Sequence, residues 1–260
     1  MKHYRRWNGK EVIDLGQSFR YDPGYVEGKD AGVLNVIGMK AVQLQADIQG
    51  KTVTGELQRE AGIQPKGASL TLGSGAVPGD YKFNQRIVIG AATPADINAL
   101  ALNPTLFGED KIANVQIFSN QAAEVREALR LQQGGSVAIT AKGVAVNADV
   151  ETAAGAISFN ARDNSVDQVT VPLDVTVADG VTLSARGAWA NDLPSAPGHS
   201  GEAARVNGGS VTLSAVANVT LGTDTLIDVT GGGRVKPDGK VMGGNGGDVR
   251  LGAGVGVSAC

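Results

Sequence analysis

Gly208-Gly209-Ser210-Val211-Thr212-Leu213-Ser214-Ala215 is a glycine turn followed by a strand in which Val211, Leu213 and Ala215 alternate with Thr212 and Ser214. A period of two puts the apolar side chains on one face and the hydroxyls on the other, the pattern of a half-buried strand. Four other stretches line up with it. They are Gly134-Gly135-Ser136-Val137-Ala138-Ile139-Thr140-Ala141, Ala154-Gly155-Ala156-Ile157-Ser158-Phe159-Asn160-Ala161, Ala178-Asp179-Gly180-Val181-Thr182-Leu183-Ser184-Ala185 and Gly246-Gly247-Asp248-Val249-Arg250-Leu251-Gly252-Ala253. In all five the first, third and fifth strand positions are apolar, and no large apolar group stands between them.

The anchors Val137, Ile157, Val181, Val211 and Val249 lie 20, 24, 30 and 38 residues apart. The first two intervals suit one coil of a stacked repeat, and the longer two predict loops over 192–207 and 231–245, both rich in Pro, Gly and polar residues. A second register repeats inside the coil: Ala141-Lys142-Gly143-Val144-Ala145-Val146-Asn147 matches Ala185-Arg186-Gly187-Ala188-Trp189-Ala190-Asn191, and Ala253-Gly254-Val255-Gly256-Val257 begins it again. Strand, corner and strand therefore recur as a unit, which predicts an all-β chain wound as a parallel β-helix (β-solenoid). An antiparallel β-sandwich also uses short alternating strands, but it has no need for a turn, inward triad and outward Ser/Thr to recur in register. Trp189 is read against Val146, an inward-looking position, so core packing in a wider coil is expected in preference to a carbohydrate-stacking role, and the loop after it is the better candidate for recognition.

Before residue 134 the pattern weakens, with degenerate cassettes at Asp30-Ala31-Gly32-Val33-Leu34-Asn35-Val36 and Lys66-Gly67-Ala68-Ser69-Leu70-Thr71-Leu72. The expected organisation is an extension over 1–29, degenerate coils with insertions over 30–133, and regular coils over 134–260. Short helical or irregular insertions are expected between residues 93 and 131. Thr93 to Leu102 reads as a helix with Thr93 as N-cap and Pro94 in the first turn, ended by Asn103-Pro104, and Gln121 to Leu131 reads as a helical turn or an irregular coil.

Composition agrees with short strands and tight turns: 37 glycines among 260 residues, against two Trp, four Tyr and five Phe. A formal net charge of -3 provides no basic field for nucleic acid. The single Cys260 forms no intrachain disulfide and leaves too few thiolates for a zinc cage. The residues after the basic Met1–Lys10 stretch, Glu11-Val12-Ile13-Asp14, interrupt any apolar export signal, and no window is long enough for a membrane-spanning helix.

The run of Gly-Gly-Ser-Val-x-Leu/Ile-x-Ala cassettes resembles the large exoproteins of two-partner secretion, the filamentous haemagglutinin-like family. The segment Tyr21-Asp22-Pro23-Gly24-Tyr25-Val26-Glu27-Gly28-Lys29-Asp30-Ala31-Gly32 is similar to segments of their long shafts. The resemblance spans residues 30–260 loosely. It implies a right-handed parallel β-helix, export through an outer-membrane transporter barrel, and a secreted or cell-surface location. It also implies contact with a receptor or glycan on a host or neighbouring cell, in adhesion, biofilm formation or contact-dependent competition. The family's signal peptide, secretion domain and C-terminal toxin or anchor module are not seen here, so the chain resembles an internal or truncated piece. Asn103-Pro104-Thr105-Leu106 is similar to Asn-Pro motifs of the secretion domain, but its place after several coils favours coincidence.

The expected function is that of a structural shaft, not an enzyme, with no catalytic residue, metal or cofactor. The alternatives are a carbohydrate-active β-helix enzyme, whose acids would come from Asp163, Asp167, Asp174, Asp179 and Asp192 with Arg162 and Arg186, and the shaft of a contact-dependent toxin. Gly243-Gly244-Asn245-Gly246-Gly247-Asp248-Val249-Arg250-Leu251 departs from the calcium-binding nonapeptide at Arg250, where an apolar residue belongs. Of the two histidines, His3 lies near the terminus and His199 in a Pro/Gly loop, a poor basis for a nucleophile–histidine pair. Gly231-Gly232-Gly233-Arg234-Val235-Lys236 lacks the ending of a phosphate loop, and Asn218-Val219-Thr220 is formally a glycosylation acceptor.

Overall fold

The computed structural model describes residues 2–4, 9–11, 26–37, 42–61, 63–74, 83–94, 96, 98–162, 173–193 and 204–254. Nearly all the regular structure is β, and most of it lies in parallel sheets. Among the described residues the first sheet has seven strands, all parallel, taken in chain order from one edge to the other: Val33–Val36, Ala68–Leu72, Ile112–Phe118, Ser136–Ala141, Ala156–Ala161, Ser210–Ala215 and Asp248–Gly252. From Ile112–Phe118 onward, between successive members the chain visits a second sheet, through Ala123–Val125, Val144–Val146, Val175–Val177 and Val219–Leu221, and then a third. The third holds Leu129–Leu131, Val150–Thr152, Thr182–Ser184 and Leu226–Asp228. From Ile112 onward each described round thus repeats first, second and third sheet, and successive strands of a sheet pair in parallel.

The inward positions of the three sheets form one continuous apolar cluster. Val137, Ile139 and Ala141 are buried, Ile157, Phe159 and Ala161 lie directly over them, and Val211, Leu213 and Ala215 lie over those. Parallel pairing in exact step stacks like positions on like, so a period-two strand can bury its apolar side only where its neighbours share that period. The last cassette departs from expectation: Val249 and Leu251 keep the pairing but are 44% and 54% exposed. They belong to the outermost described strand, which has a partner strand on one side alone.

One column explains the recurring glycine. Two residues before the first inward side chain stand Gly32, Ala68, Ala113, Gly135, Gly155, Gly209 and Gly247, one per round. At this corner the N–H of Ala156 donates to Gly135 O, that of Ser210 to Gly155 O, and that of Asp248 to Gly209 O. The rounds approach so closely that a Cβ on Gly155 would stand 1.9 Å from Gly135 O. Carboxylates tie other corners together. Asp149 Oδ1 accepts from Thr182 N at 2.8 Å, Asp174 Oδ1 from Asn218 N at 2.8 Å and Asp179 Oδ1 from Thr223 N at 2.7 Å, each reaching the next round.

Several expectations need correction. The cassette at Ala178–Ala185 is not a first-sheet strand: Leu183 pairs with Val150 and Ile227 in the third sheet, so the two intervals of 24 and 30 residues merge into a single round. Its turn differs physically, since Gly180, in the left-handed region at φ +70°, directly precedes Val181, and Asp179 occupies the place that the column reserves for a small residue. The helix expected over Thr93 to Leu102 does not form. Leu100–Leu102 is a strand alongside Ile87–Ile89, both leucines being buried, and Asp96 caps a turn by accepting from Thr93 N and Oγ1. Asn103 instead caps a short 3-10 turn, Pro104–Leu106, by accepting from Thr105 N. Gln121 to Leu131 contains two strands whose inward pairs, Ala123/Val125 and Leu129/Leu131, follow period two.

The α-helix found among the described residues, Glu56–Glu60, has no counterpart in the sequence reading; its Gln58 side chain clasps the backbone of Gly28 through both amide atoms. The lengths predicted to be loops over 192–207 and 231–245 belong to excursions after the third-sheet strand of two successive rounds. The second excursion is a hairpin, with Gly233–Val235 antiparallel to Val241–Gly243. Residues 194–203 lie outside the described residues.

Candidate functional site

Among the described residues, the acids read from the sequence as a possible catalytic cluster serve separate structural roles. Asp174 and Asp179 stand at opposite ends of the strand Val175–Val177, each holding a backbone N–H of the next round. Asp192 is buried against Arg234. Asp163, Asp167, His199 and Cys260 lie outside the described residues. Gly231 and Gly232 face neighbouring backbone too closely to cradle a phosphate: a Cβ on Gly232 would stand 2.0 Å from Ala188 O. Asn218 donates its side-chain amide to Asp174. Among the described residues no group of three His, Cys, Asp or Glu side chains could hold a metal ion.

A groove of about 510 Å³ opens near the N-terminal rounds, between residues 44–47, the 90–92 turn and the 3-10 turn after Asn103. Its charged groups are engaged with the protein. Lys111 Nζ lies 3.2 Å from Asp47 Oδ1 and holds that carboxyl below its ordinary range through this hydrogen bond and its charge. Glu127 Oε1 accepts from Ala91 N at 2.8 Å. Beside the groove, Asp96 is clamped from both sides by arginines. Arg126 donates Nη2 at 3.0 Å and Nη1 at 2.5 Å, while Arg86 Nη1 donates at 2.8 Å. Glu124 accepts from both guanidinium groups and from Asn147. The Arg126 hydrogen bonds, reinforced by Thr93, hold the Asp96 carboxyl far below the usual carboxylate range. This network fastens the turn at residues 93–96 onto the outer face of the second sheet.

The most accessible candidate is the fourth sheet. In the first excursion Trp189–Asn191 follows the third-sheet strand; in the next, Gly233–Val235 does the same, and the two pair in parallel as the rounds beneath them do. Val241–Gly243 closes the hairpin and completes three strands. Trp189, Gly233 and Gly243 form one cross-strand row, and Asn191, Val235 and Val241 form the next on the same face. Trp189 is not packed inward as its comparison with Val146 predicted; it is 75% exposed. Position by position the match sets Trp189 against the outward Ala145 and the buried Val146 against Ala190, and Trp189 belongs to a sheet outside the core. The indole lies against Gly233, where a Cβ would stand 2.9 Å from Cζ3, so the glycine makes room for the ring. The sheet is braced by a largely buried ion pair, Arg234 Nε donating to Asp192 Oδ2 at 2.5 Å.

No protein-family model matches this chain, and neither the characterised proteins nor the solved structures contain a match. The function is therefore argued from the chain's own geometry.

Proposed function

We propose that the chain is a shaft segment of a secreted or cell-surface filamentous adhesin-like exoprotein, wound as a right-handed parallel β-helix. The observation that carries this reading is the in-step pairing of Val115, Val137, Ile157, Val211 and Val249 across one sheet, with the second and third sheets repeating round by round. Each round then serves as one coil, adding about 4.8 Å of length. Such a fold extends by adding coils and needs no new kind of contact to do so. Excursions from a fixed corner, such as the fourth sheet, supply surface for contact with a receptor or glycan on another cell. Export through an outer-membrane barrel belongs to the same proposal, which rests there on resemblance.

The groove is read as structural, not catalytic, because Asp47 is held ionised by Lys111 and Glu127 is occupied by the Ala91 N–H. Hydrolysis of an oligosaccharide panel that disappears in Asp47→Asn or Glu127→Gln would support the carbohydrate-active alternative instead.

The direct test is deletion of residues 134–252 in a producing cell, with surface labelling and adherence to a second cell layer measured together. Loss of adherence with a shorter but still exported product is the expected result. Unchanged adherence, or a product confined to the cytoplasm in the parent strain, would overturn the proposal.

A further inference from the structure

We infer that the Trp189 face of the fourth sheet is a binding site for a sugar ring. The inference rests on reading this sheet as a contact surface, but not on the handedness or length of the shaft. A tryptophan is expensive to leave in water, and an aromatic side chain carries about 150–250 Å² of buriable area. Here three-quarters of the indole stays exposed although the core lies one strand away in the same round. Gly233 and Gly243 occupy the rest of its row, so the two strands beside it place no side chain in that row. One side of the indole rests on Gly233, and the other is open. That is a preorganised flat platform, held by pairing of its strand with Gly233–Val235, itself paired on both sides, and by the Arg234–Asp192 brace.

The size of the patch selects the class of ligand. Trp189 and Val241, the latter 76% exposed on the same face, offer on the order of 300 Å² of apolar surface. A stable protein interface takes about 800 Å² from each partner. The patch is therefore too small for a second protein chain and about right for one or two pyranose rings. A pyranose presents a face of C–H groups that packs on an aromatic plane, while its rim of hydroxyls seeks polar partners. Those partners are at hand: the Asn191 amide lies on the same face in the adjoining row, and Lys236 and Lys240 lie in the hairpin turn beyond Val235. Lys236 would add attraction for an acidic sugar, whereas Lys240 is paired with Asp238 at 3.1 Å, and stacking itself does not require charge.

Replacing Trp7 by phenylalanine leaves Trp189 as the only indole, and its fluorescence then reports directly on the platform. The full-length W7F chain is titrated with cellohexaose, chitohexaose and oligogalacturonate. The expected result is a saturable fluorescence change with at least one of the three, at about millimolar affinity or tighter. Weak-affinity chromatography of the otherwise native chain on the same immobilised sugar is expected to be lost in Trp189→Ala and partly kept in Trp189→Phe. Circular dichroism shows whether Trp189→Ala remains folded, and the Trp189→Phe comparison holds if it does not. No fluorescence response to any of the sugars would overturn the inference, and so would equal retention of the alanine variant. Concentration-dependent self-association abolished by Trp189→Ala, without sugar binding, would also overturn it and identify a protein contact. The shaft reading stands or falls separately, on the deletion phenotype.

Discussion

Gly209 packs on Gly155 so closely that a Cβ at Gly209 would stand 1.8 Å from the Gly155 carbonyl oxygen. No heavy-atom contact of that kind is tolerated, so the corner between the third and first sheets admits glycine there because the backbone itself fills the space. Gly32 holds the same place in the first round and would meet nothing within 4 Å. Gly209→Ala is expected to lower stability by about 3 kcal/mol, and Gly32→Ala to change it by less than about 0.5 kcal/mol. Urea unfolding of the two variants checks this; equal midpoints would remove the close-packed corner as the reason for the glycine.

Phe159 lies between Ile139 and Leu213 with no exposure, while Leu251 caps the same column at the outermost described strand. Truncation to alanine should therefore cost very different amounts. Phe159→Ala is expected to lose about 3–5 kcal/mol. Leu251→Ala should lose about 1 kcal/mol or less, because much of its surface already faces water. The measurement is the pair of chemical denaturation midpoints at unchanged slope.

Asp96 fastens the 93–96 turn through Arg126, Arg86 and Thr93. Its folded-state pKa is depressed, so its contribution is fully present above the unfolded value near 4 and fades only as pH falls through the lower folded value. Amide exchange in residues 91–94 and 98–99 should thus be constant from pH 7 to pH 5, after correction for the intrinsic rate, and accelerate only under stronger acid. Asp96→Asn should lower the melting midpoint by several degrees and flatten that acid limb. A steep change between pH 7 and pH 5 would contradict the assignment.

The brace between Asp192 and Arg234 belongs to the fourth sheet alone. Asp192→Ala leaves a largely buried guanidinium without its counter-charge, at a cost of about 3 kcal/mol. The damage should stay local. Limited proteolysis is expected to cut within 233–243 sooner, while exchange protection in the strands Ser136–Ala141 and Ala156–Ala161 stays as in the parent. Loss of protection in those strands would show that the fourth sheet supports the stack and is not an appendage.

Much of the stack is legible in the chain because period two, repeated in register, specifies which side chains face inward whatever the partner strand. Val137, Ile157 and Val211 were placed correctly on that ground alone. What the pattern does not specify is the sheet a strand joins. Val181-Thr182-Leu183 alternates just as Val211-Thr212-Leu213 does, yet it lies in the third sheet. The discriminating signal is the residue two places earlier: Gly135, Gly155, Gly209 and Gly247 precede the first-sheet strands, and Asp179 precedes Val181. Trp189 misled for a different reason. The match Ala-x-Gly-x-x-Ala/Val-Asn sets Trp189 against Ala145 and Ala190 against Val146, so the alternation itself already put the indole on the outward side. The Asp96 clamp gave no signal along the chain, because Arg86, Asp96, Glu124 and Arg126 come from separate segments that meet only after the second sheet forms.

Ladder bonds from three sheets cross each boundary between the central rounds, and all run along the direction in which rounds accumulate. Tension applied along that direction is shared by every ladder at a boundary, and each boundary carries the same load as the next. Such a stack behaves as links in series, whose strength is that of its weakest boundary and does not rise with length.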